Sequence, residues 1–215
     1  MEKQNNKLIT VFKVIIYIYF FAGIIWHLLP QTRTMVINIT PYGLTFFSIM
    51  ILFLNKDKND FKTFLWIASI FIATIIIEII GVNSALIFGN YSYSNVLGLK
   101  LLGVPIVIGL NWTIVIIGLF SLTEDLRLTN ILIVCLIIGS LAVLFDIVLE
   151  PVAVKLDYWQ WESNIIPIKN YLSWFGIAFI FGFVGFKLKL RFRSDIIKHY
   201  IIAQFIFLSM LNLFL

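Results

Sequence analysis

The chain has 215 residues, of which 61% are hydrophobic and 13% are charged, and it carries a net charge of +5. A typical soluble domain has roughly 25% charged residues, so the composition excludes an ordinary soluble protein and predicts a single integral membrane domain over residues 1–215. The basic residues lie between the apolar runs, where basic residues of membrane proteins determine the orientation of the spans. The net charge therefore does not indicate nucleic-acid binding.

Seven apolar segments, several of them close to the ~20 residues that cross a bilayer, predict an all-α fold. The fold class is a polytopic bundle of about seven transmembrane helices with two long connections. The predicted spans are residues 9–29, 36–54, 63–80, 103–122, 130–149, 172–187 and 200–215. A charged loop, NKDKNDFK, separates the second and third spans.

The long connections cover residues 81–102 and 150–171. The first interleaves apolar residues with Gly and Asn, which favours an interfacial or re-entrant lid over a solvated loop. At the start of the second, Pro151 disfavours helical geometry at Glu150 and predicts that the fifth helix ends there.

The distribution of Lys and Arg predicts the orientation in the membrane. With a cytoplasmic N-terminus, 11 basic residues lie on the cytoplasmic side and 4 on the outer side, while Lys13 lies within the first span. This bias follows the positive-inside rule, so we predict a cytoplasmic N-terminus, an outside C-terminus and two outer-side connections. The basic segment KLKLRFR, residues 187–193, then lies at the cytoplasmic leaflet and attracts anionic lipid.

Three carboxylates, Glu78, Asp146 and Glu150, lie within or at the ends of spans on the same side. Residues four apart share a helix face, so the last two point the same way. A carboxylate in the hydrocarbon region costs at least ~2.5 kcal/mol and usually faces the bundle interior. Desolvation favours the protonated form, and a neutral acid beside an ionised one suits a general acid–base pair. The alternative is a headgroup-level position with ion pairs to basic residues of the connections, Lys155, Lys169 or Arg33.

Other polar and aromatic residues lie on this side. Asn111 needs a partner across helices or in a site, and Trp112 either packs in the core or lines an apolar pocket. His27 is either a proton relay or an interfacial anchor beside Trp26. Aromatic residues are concentrated in the connections. They form either the aromatic belt at the membrane interface or a slot that binds a polyene and stabilises a cation on it through the aromatic rings. They are Tyr91, Tyr93, Tyr158, Trp159, Trp161, Tyr171 and Trp174.

Two histidines and the single Cys135 argue against a metal site of a common type but leave a carboxylate-rich site open. The chain has no Gly-rich phosphate loop, no nucleophile elbow and no dinucleotide fingerprint. These observations favour chemistry by carboxylates and aromatic side chains.

The middle of the chain resembles the membrane-embedded carotenoid biosynthesis family typified by bisanhydrobacterioruberin hydratase and carotenoid 1,2-hydratase. The resemblance rests on EIIGVNSALIFGNYSYSNVLGLKLLGVPIVIGLNW, FDIVLEPVAVKLDYWQW and IPIKNYLSWF. It implies a cofactor-independent hydro-lyase that adds water to the terminal double bond of an acyclic carotenoid and gives a tertiary alcohol. It also implies a bacterial or archaeal cytoplasmic membrane, a carotenoid or long isoprenoid substrate, and other carotenoid biosynthesis enzymes as candidate partners.

For that reaction we expect a neutral carboxylic acid to protonate the alkene, and water to attack the resulting tertiary cation. Asp146 is the predicted acid, with Glu150 or Glu78 as the base or water-positioning group. The predicted substrate-binding residues are Asn111, Trp112, Tyr91, Tyr93, Trp159 and His27.

Two alternatives stay open. A carotenoid end-group cyclase or isomerase would form the same cation and lose it by ring closure or deprotonation. A non-catalytic isoprenoid carrier or a proton-coupled transporter would also place acids within the membrane.

Overall fold

A computed structural model describes residues 2–54, 61–162, 164–192 and 195–215, with side chains described from residue 8 onward. Its helices are α1 (Glu2–Leu28), α2 (Pro30–Leu54), α3 (Phe61–Ser84), α4 (Ile106–Glu124), α5 (Ile131–Lys155), α6 (Ile168–Lys187) and α7 (Ile196–Phe214). All seven are long and apolar enough to cross a membrane. The predicted all-α bundle with seven spans is confirmed. Residues 55–60, most of the predicted charged loop, lie outside the described residues, as does Arg193 of the basic segment.

Helix α4 forms the centre of the bundle. Its sequence is apolar all round, which is typical of a helix buried on every side, and most of its 19 residues are buried. It packs against α2, α3, α5, α6 and α7. Small residues permit this close approach, because a Cβ at Gly118 would lie 2.1 Å from Cγ1 of Ile201 on α7. Asn111 and Trp112, which α4 carries, therefore face protein rather than lipid.

Helix α5 continues through Pro151 to Lys155, which corrects the predicted end at Glu150. Proline removes a backbone donor and disfavours helix at the preceding residue. Transmembrane helices tolerate it where neighbouring elements support the backbone, and α5 packs against α4, α6 and α7. Glu150 therefore lies inside a helix, one turn after Asp146, and the second connection begins only at Leu156.

Several helices extend beyond their predicted spans. Helix α3 continues to Ser84, while α2, α6 and α7 begin earlier, at Pro30, Ile168 and Ile196. The added turns contain polar residues, which hydropathy excludes from a span although helical hydrogen bonding does not require apolar side chains. Proline is favourable at the first helical position, where its missing N–H would have no intrahelical partner.

The two long connections fold over one end of the bundle as a small lid. It contains four short strands, β1 (Tyr91–Tyr93), β2 (Lys100–Leu101), β3 (Val104–Pro105) and β4 (Trp159–Trp161). Strand β1 pairs antiparallel with β4, and β2 pairs antiparallel with β3. We call the β1–β4 pair the lid sheet. It joins the two connections, and it is an addition to the predicted architecture because no strand was predicted.

Candidate active site

A cavity of about 300 Å³ lies among the helices beneath the lid sheet. The carboxylates Glu78, Asp146 and Glu150 all line it, and each is at most 3% exposed. The remaining sequence candidates line the same cavity: Asn111, Trp112, Tyr91, Tyr93, Trp159 and His27. Its volume is at the lower end of the roughly 300–1,000 Å³ that accommodates drug-sized ligands.

One amide group connects two of the carboxylates. The side chain of Asn170, at the start of α6, donates from Nδ2 to Oδ2 of Asp146 at 2.6 Å and to Oε1 of Glu150 at 3.1 Å. The two acids lie four residues apart on α5 and therefore share a face. An NH₂ group has two hydrogens, so one can serve each carboxylate, and all three residues are buried.

The lid sheet donates further hydrogen bonds to Glu150. Nε1 of Trp159 and Nε1 of Trp161 both donate to Oε2, at 2.9 and 2.8 Å. Residues two apart on a strand point to the same face, which is why both indoles reach one oxygen while Gln160 between them is exposed. With Asn170, three N–H groups donate to the Glu150 carboxylate.

The opposite strand of the lid sheet donates to Glu78. The phenol of Tyr91 and the phenol of Tyr93 both donate to Oε2 of Glu78, the second at 2.9 Å. In the antiparallel register, Tyr91 pairs with Trp161 and Tyr93 with Trp159, so all four aromatic side chains lie on one face. Burial and the neighbouring Glu78 carboxylate raise the pKa of both phenols above their usual range. The tyrosines therefore stay protonated donors.

Two of the three basic residues considered as partners, Lys169 and Arg33, bind elsewhere. Lys169 donates to the carbonyl of Ala85 at 2.8 Å, and Arg33 donates to the carbonyls of His27 and Leu28. Within the described ranges, no ion pair involves Glu78, Asp146 or Glu150. The carboxylates are instead supported by neutral donors, and the same part of the chain shows no group of three His, Cys, Asp or Glu side chains arranged for a metal ion.

Aromatic rings form another part of the cavity wall. Trp112 stacks on Trp174 with ring centroids 3.5 Å apart and planes 11° apart. Phe88 also stacks on Trp174, with ring centroids 5.2 Å apart. All three residues line the cavity. Trp112 therefore combines both roles considered for it, since it packs in the core and lines the pocket.

Asn111 and His27 lie on the part of the wall formed by α1, α4 and α7. Oδ1 of Asn111 accepts a hydrogen bond from Nε2 of Gln204 on α7 at 2.7 Å, which is the partner across helices that its position requires. His27 is 2% exposed, and its Nδ1 contacts the carbonyl of Gly23 at 2.7 Å. It is a buried residue, whereas the adjacent Trp26 is exposed.

The cavity extends to the outer surface of the bundle. Three of its lining side chains, Ile18 and Trp26 on α1 and Ile39 on α2, are also 47–61% exposed. In a membrane this surface faces lipid. The wall of the cavity therefore includes side chains that also form the outer surface of α1 and α2.

Sequence reasoning missed three residues of this site: Asn170, Trp161 as a donor, and Gln204. The alternation of aromatic and polar residues in YSY and WQW is a strand signal of period two and could have indicated that Trp161 shares a face with Trp159. A polar residue early in the sixth helix lies on the acids' side of the membrane, which could have indicated Asn170. Gln204 interrupts an apolar span, which is itself a functional signal.

Comparison with known protein families identifies a related family. A sequence model of the carotenoid biosynthesis protein family matches residues 39–215. No curated protein and no solved structure matches the chain.

Proposed function

The chain belongs to the carotenoid biosynthesis protein family, and on that premise we propose that it is a hydratase of acyclic carotenoid end groups. In this reaction a carboxylic acid protonates the terminal double bond, and water adds to the tertiary cation to give a tertiary alcohol. A proton adds to one carbon, water adds to the other and a proton is then released, so the net change is the addition of one water molecule. No electrons are transferred, so the reaction requires no redox cofactor.

The unequal hydrogen bonding of Asp146 and Glu150 is the observation that carries the proposal. Three N–H groups donate to Glu150, and donors to a carboxylate stabilise its ionised form. Asp146 accepts from Asn170 alone among the described contacts. Two neighbouring carboxyl groups do not both ionise readily, because their negative charges would repel each other. Asp146 is therefore the neutral acid, and the ionised Glu150 beside it stabilises the cation.

The apolar part of the cavity suits the proposed substrate. Its volume of about 300 Å³ fits one end of a long polyene rather than the whole chain. The remainder of the chain can extend past Ile18, Trp26 and Ile39 into lipid. Trp112, which lines the cavity, has a ring whose negative quadrupole can stabilise a cation at the face that is not stacked on Trp174.

The test is to produce the chain in a bacterium that accumulates lycopene and to analyse the pigments by liquid chromatography and mass spectrometry. We expect a mass gain of one or two water molecules. Asp146→Asn should lower this conversion by about 10²-fold or more, as expected for loss of a general acid. Asp157→Asn is the matched control, because Asp157 is an exposed carboxylate of the second connection that contacts Gln160.

Other products would decide against hydration. A pigment of unchanged mass and altered retention, lost in Asp146→Asn, would assign a cyclase or an isomerase. Unconverted pigment that copurifies equally with the original chain and with Asp146→Asn would assign a carrier.

A further inference from the structure

Two buried polar atoms in the cavity wall lack partners. Six buried side-chain nitrogen and oxygen atoms have no hydrogen-bond partner in the described part of the chain. Two of these atoms belong to residues that line the cavity, Nε2 of His27 and Oε1 of Gln204. The two residues are 2% and 4% exposed. A buried polar atom of this kind calls for a partner, because burial has removed it from bulk water.

Both atoms are hydrogen-bond acceptors. Nδ1 of His27 contacts the carbonyl oxygen of Gly23, which can only accept, so Nδ1 carries the hydrogen and Nε2 of the neutral ring offers a lone pair. The amide nitrogen of Gln204 donates to Asn111, which leaves the carbonyl oxygen Oε1 as the unpartnered atom. The cavity therefore contains two unfilled acceptors.

The two acceptors belong to one region of the cavity. The ring of His27 lies 5.4 Å from the ring of Phe207 in an edge-on arrangement. Gln204 precedes Phe207 by three residues on α7, so the two share a helix face. All three residues line the cavity.

This region differs in kind from the wall that contains the acids. At Glu150 the protein supplies donors, and the indoles of Trp159 and Trp161 already occupy one of its oxygens. At His27 and Gln204 the unpartnered atoms are both acceptors. The first arrangement stabilises a negative charge, and the second requires a ligand with at least two hydrogens to donate.

We infer that His27 and Gln204 bind the water molecule that attacks the carotenoid cation, which is an inference that rests on the proposed hydration. Water has two O–H donors and matches the two acceptors, whereas an alcohol has one. When both hydrogens are donated to the protein, the oxygen lone pairs remain free for the substrate. Donation to two acceptors also increases the electron density on that oxygen.

The step balances as follows. Asp146 transfers its proton to the less substituted carbon of the terminal double bond, and the fully substituted carbon becomes the tertiary cation. A lone pair of the bound water forms the new C–O bond, and the resulting oxonium transfers one proton to Nε2 of His27. The imidazolium then loses this proton to solvent, and the Asp146 carboxylate takes up another. The sum is the alkene plus water giving the alcohol.

The test separates protonation from capture by water. The chain and the variants His27→Phe and Gln204→Leu are assayed in D₂O, and deuterium uptake into unhydrated carotenoid is measured beside hydrated product. His27→Phe should lower the ratio of hydrated to deuterated unhydrated product by about 10²-fold, as for loss of a general base. Gln204→Leu should lower the same ratio, because the water loses one of its two acceptors. Total deuterium incorporation should persist, because Asp146 still protonates the alkene.

The control is Asn212→Leu, which makes the same type of change on α7 at a residue outside the cavity lining. It should leave the ratio unchanged. An unchanged ratio in both test variants would overturn the inference, and Glu78 or Glu150 would then be the residue that positions the water. If both variants lost deuterium uptake as well as hydration, the inference would also be overturned. The two residues would then act before water attacks the cation. If the unaltered chain neither hydrates carotenoid nor takes up deuterium, the proposed function itself fails.

Discussion

At the scale of single residues, Asn170 determines how the two acids of α5 differ. It is the one described donor to Asp146 and one of three to Glu150. A side chain that bridges two carboxylates also fixes their separation. Its contribution is therefore both to the stability of the buried pair and to the position of the proposed acid.

Replacement of Asn170 by leucine should impair both properties. The change removes the one described donor to Asp146 and one of three to Glu150, and an unmet buried group costs about 1–3 kcal/mol. We expect a lower thermal unfolding temperature in detergent and a hydration rate reduced by about 10-fold or more, since a positioning role acts on the acid's proton transfer. Differential scanning fluorimetry and pigment analysis measure the two effects.

Asn83→Leu provides the matched comparison, because Asn83 is exposed at the end of α3 and donates only to the backbone carbonyl of Ile79 among the described contacts. It should change neither quantity appreciably. Equal effects of the two substitutions would contradict the bridging role. Retention of activity in Asn170→Asp but not in Asn170→Leu would likewise indicate that the amide hydrogens are dispensable.

At the scale of structural elements, the lid sheet explains why both aromatic segments are needed. Strands of three residues are too short to be stable alone, and each depends on the bonds that its side chains form with a helix below. Tyr91 and Tyr93 connect β1 to α3, and Trp159 and Trp161 connect β4 to α5. The sheet thus links the elements that carry the three acids.

Gly89, two residues before β1, should be intolerant of a side chain. Its φ is +124°, and a Cβ would lie 2.6 Å from Cγ of Pro167, which precedes α6. Gly89→Ala combines an unfavourable backbone conformation with this clash. We expect the free energy of unfolding to fall by about 1–3 kcal/mol, within the usual range for such mechanisms. We also expect a loss of hydratase activity, because β1 would move away from Glu78.

Gly176→Ala tests the same substitution where it should do no harm. Gly176 lies within α6, and no atom lies within 4 Å of its added Cβ. Alanine in a helix interior is favoured over glycine by about 0.5–1 kcal/mol, so a slightly higher unfolding temperature is expected. Destabilisation by Gly176→Ala comparable to that of Gly89→Ala would show that the lid connection is not specially constrained.

The helices were predictable from sequence because an apolar run long enough to cross a bilayer is a local signal. The continuation of α5 through Pro151 was not, since the support comes from packing against α6 and other helices. The lid sheet pairs Tyr91 with Trp161 across 70 residues, and no local pattern specifies that partner. The acids were found because charge in an apolar span is conspicuous, whereas the amides Asn170 and Gln204 are not.

At the scale of the whole molecule, the two ends of the bundle differ in chemistry. Lys13, a charge within the first predicted span, bonds to Asp195 at the start of α7. Lys198 pairs with Asp125 after α4 at the same end. The cavity and its neutral donors lie toward the other end, beneath the lid sheet. Ionic contacts thus join the helices at one end, while the candidate active site is built without ion pairs.

The bias of 11 basic residues against 4 predicts that the ionic end faces the cytoplasm and the lid faces outward. Cys135 is buried, so the chain provides a background without an accessible thiol. Ser92→Cys places a thiol on the exposed face of the lid sheet, and Thr129→Cys places one between α4 and α5. In intact spheroplasts a membrane-impermeant maleimide should label the first variant, and it should label the second only after permeabilisation. Labelling of the unaltered chain serves as the control for Cys135. The reverse pattern would place the carboxylates toward the cytoplasm, and the product hydroxyl would then form in the inner rather than the outer half of the membrane.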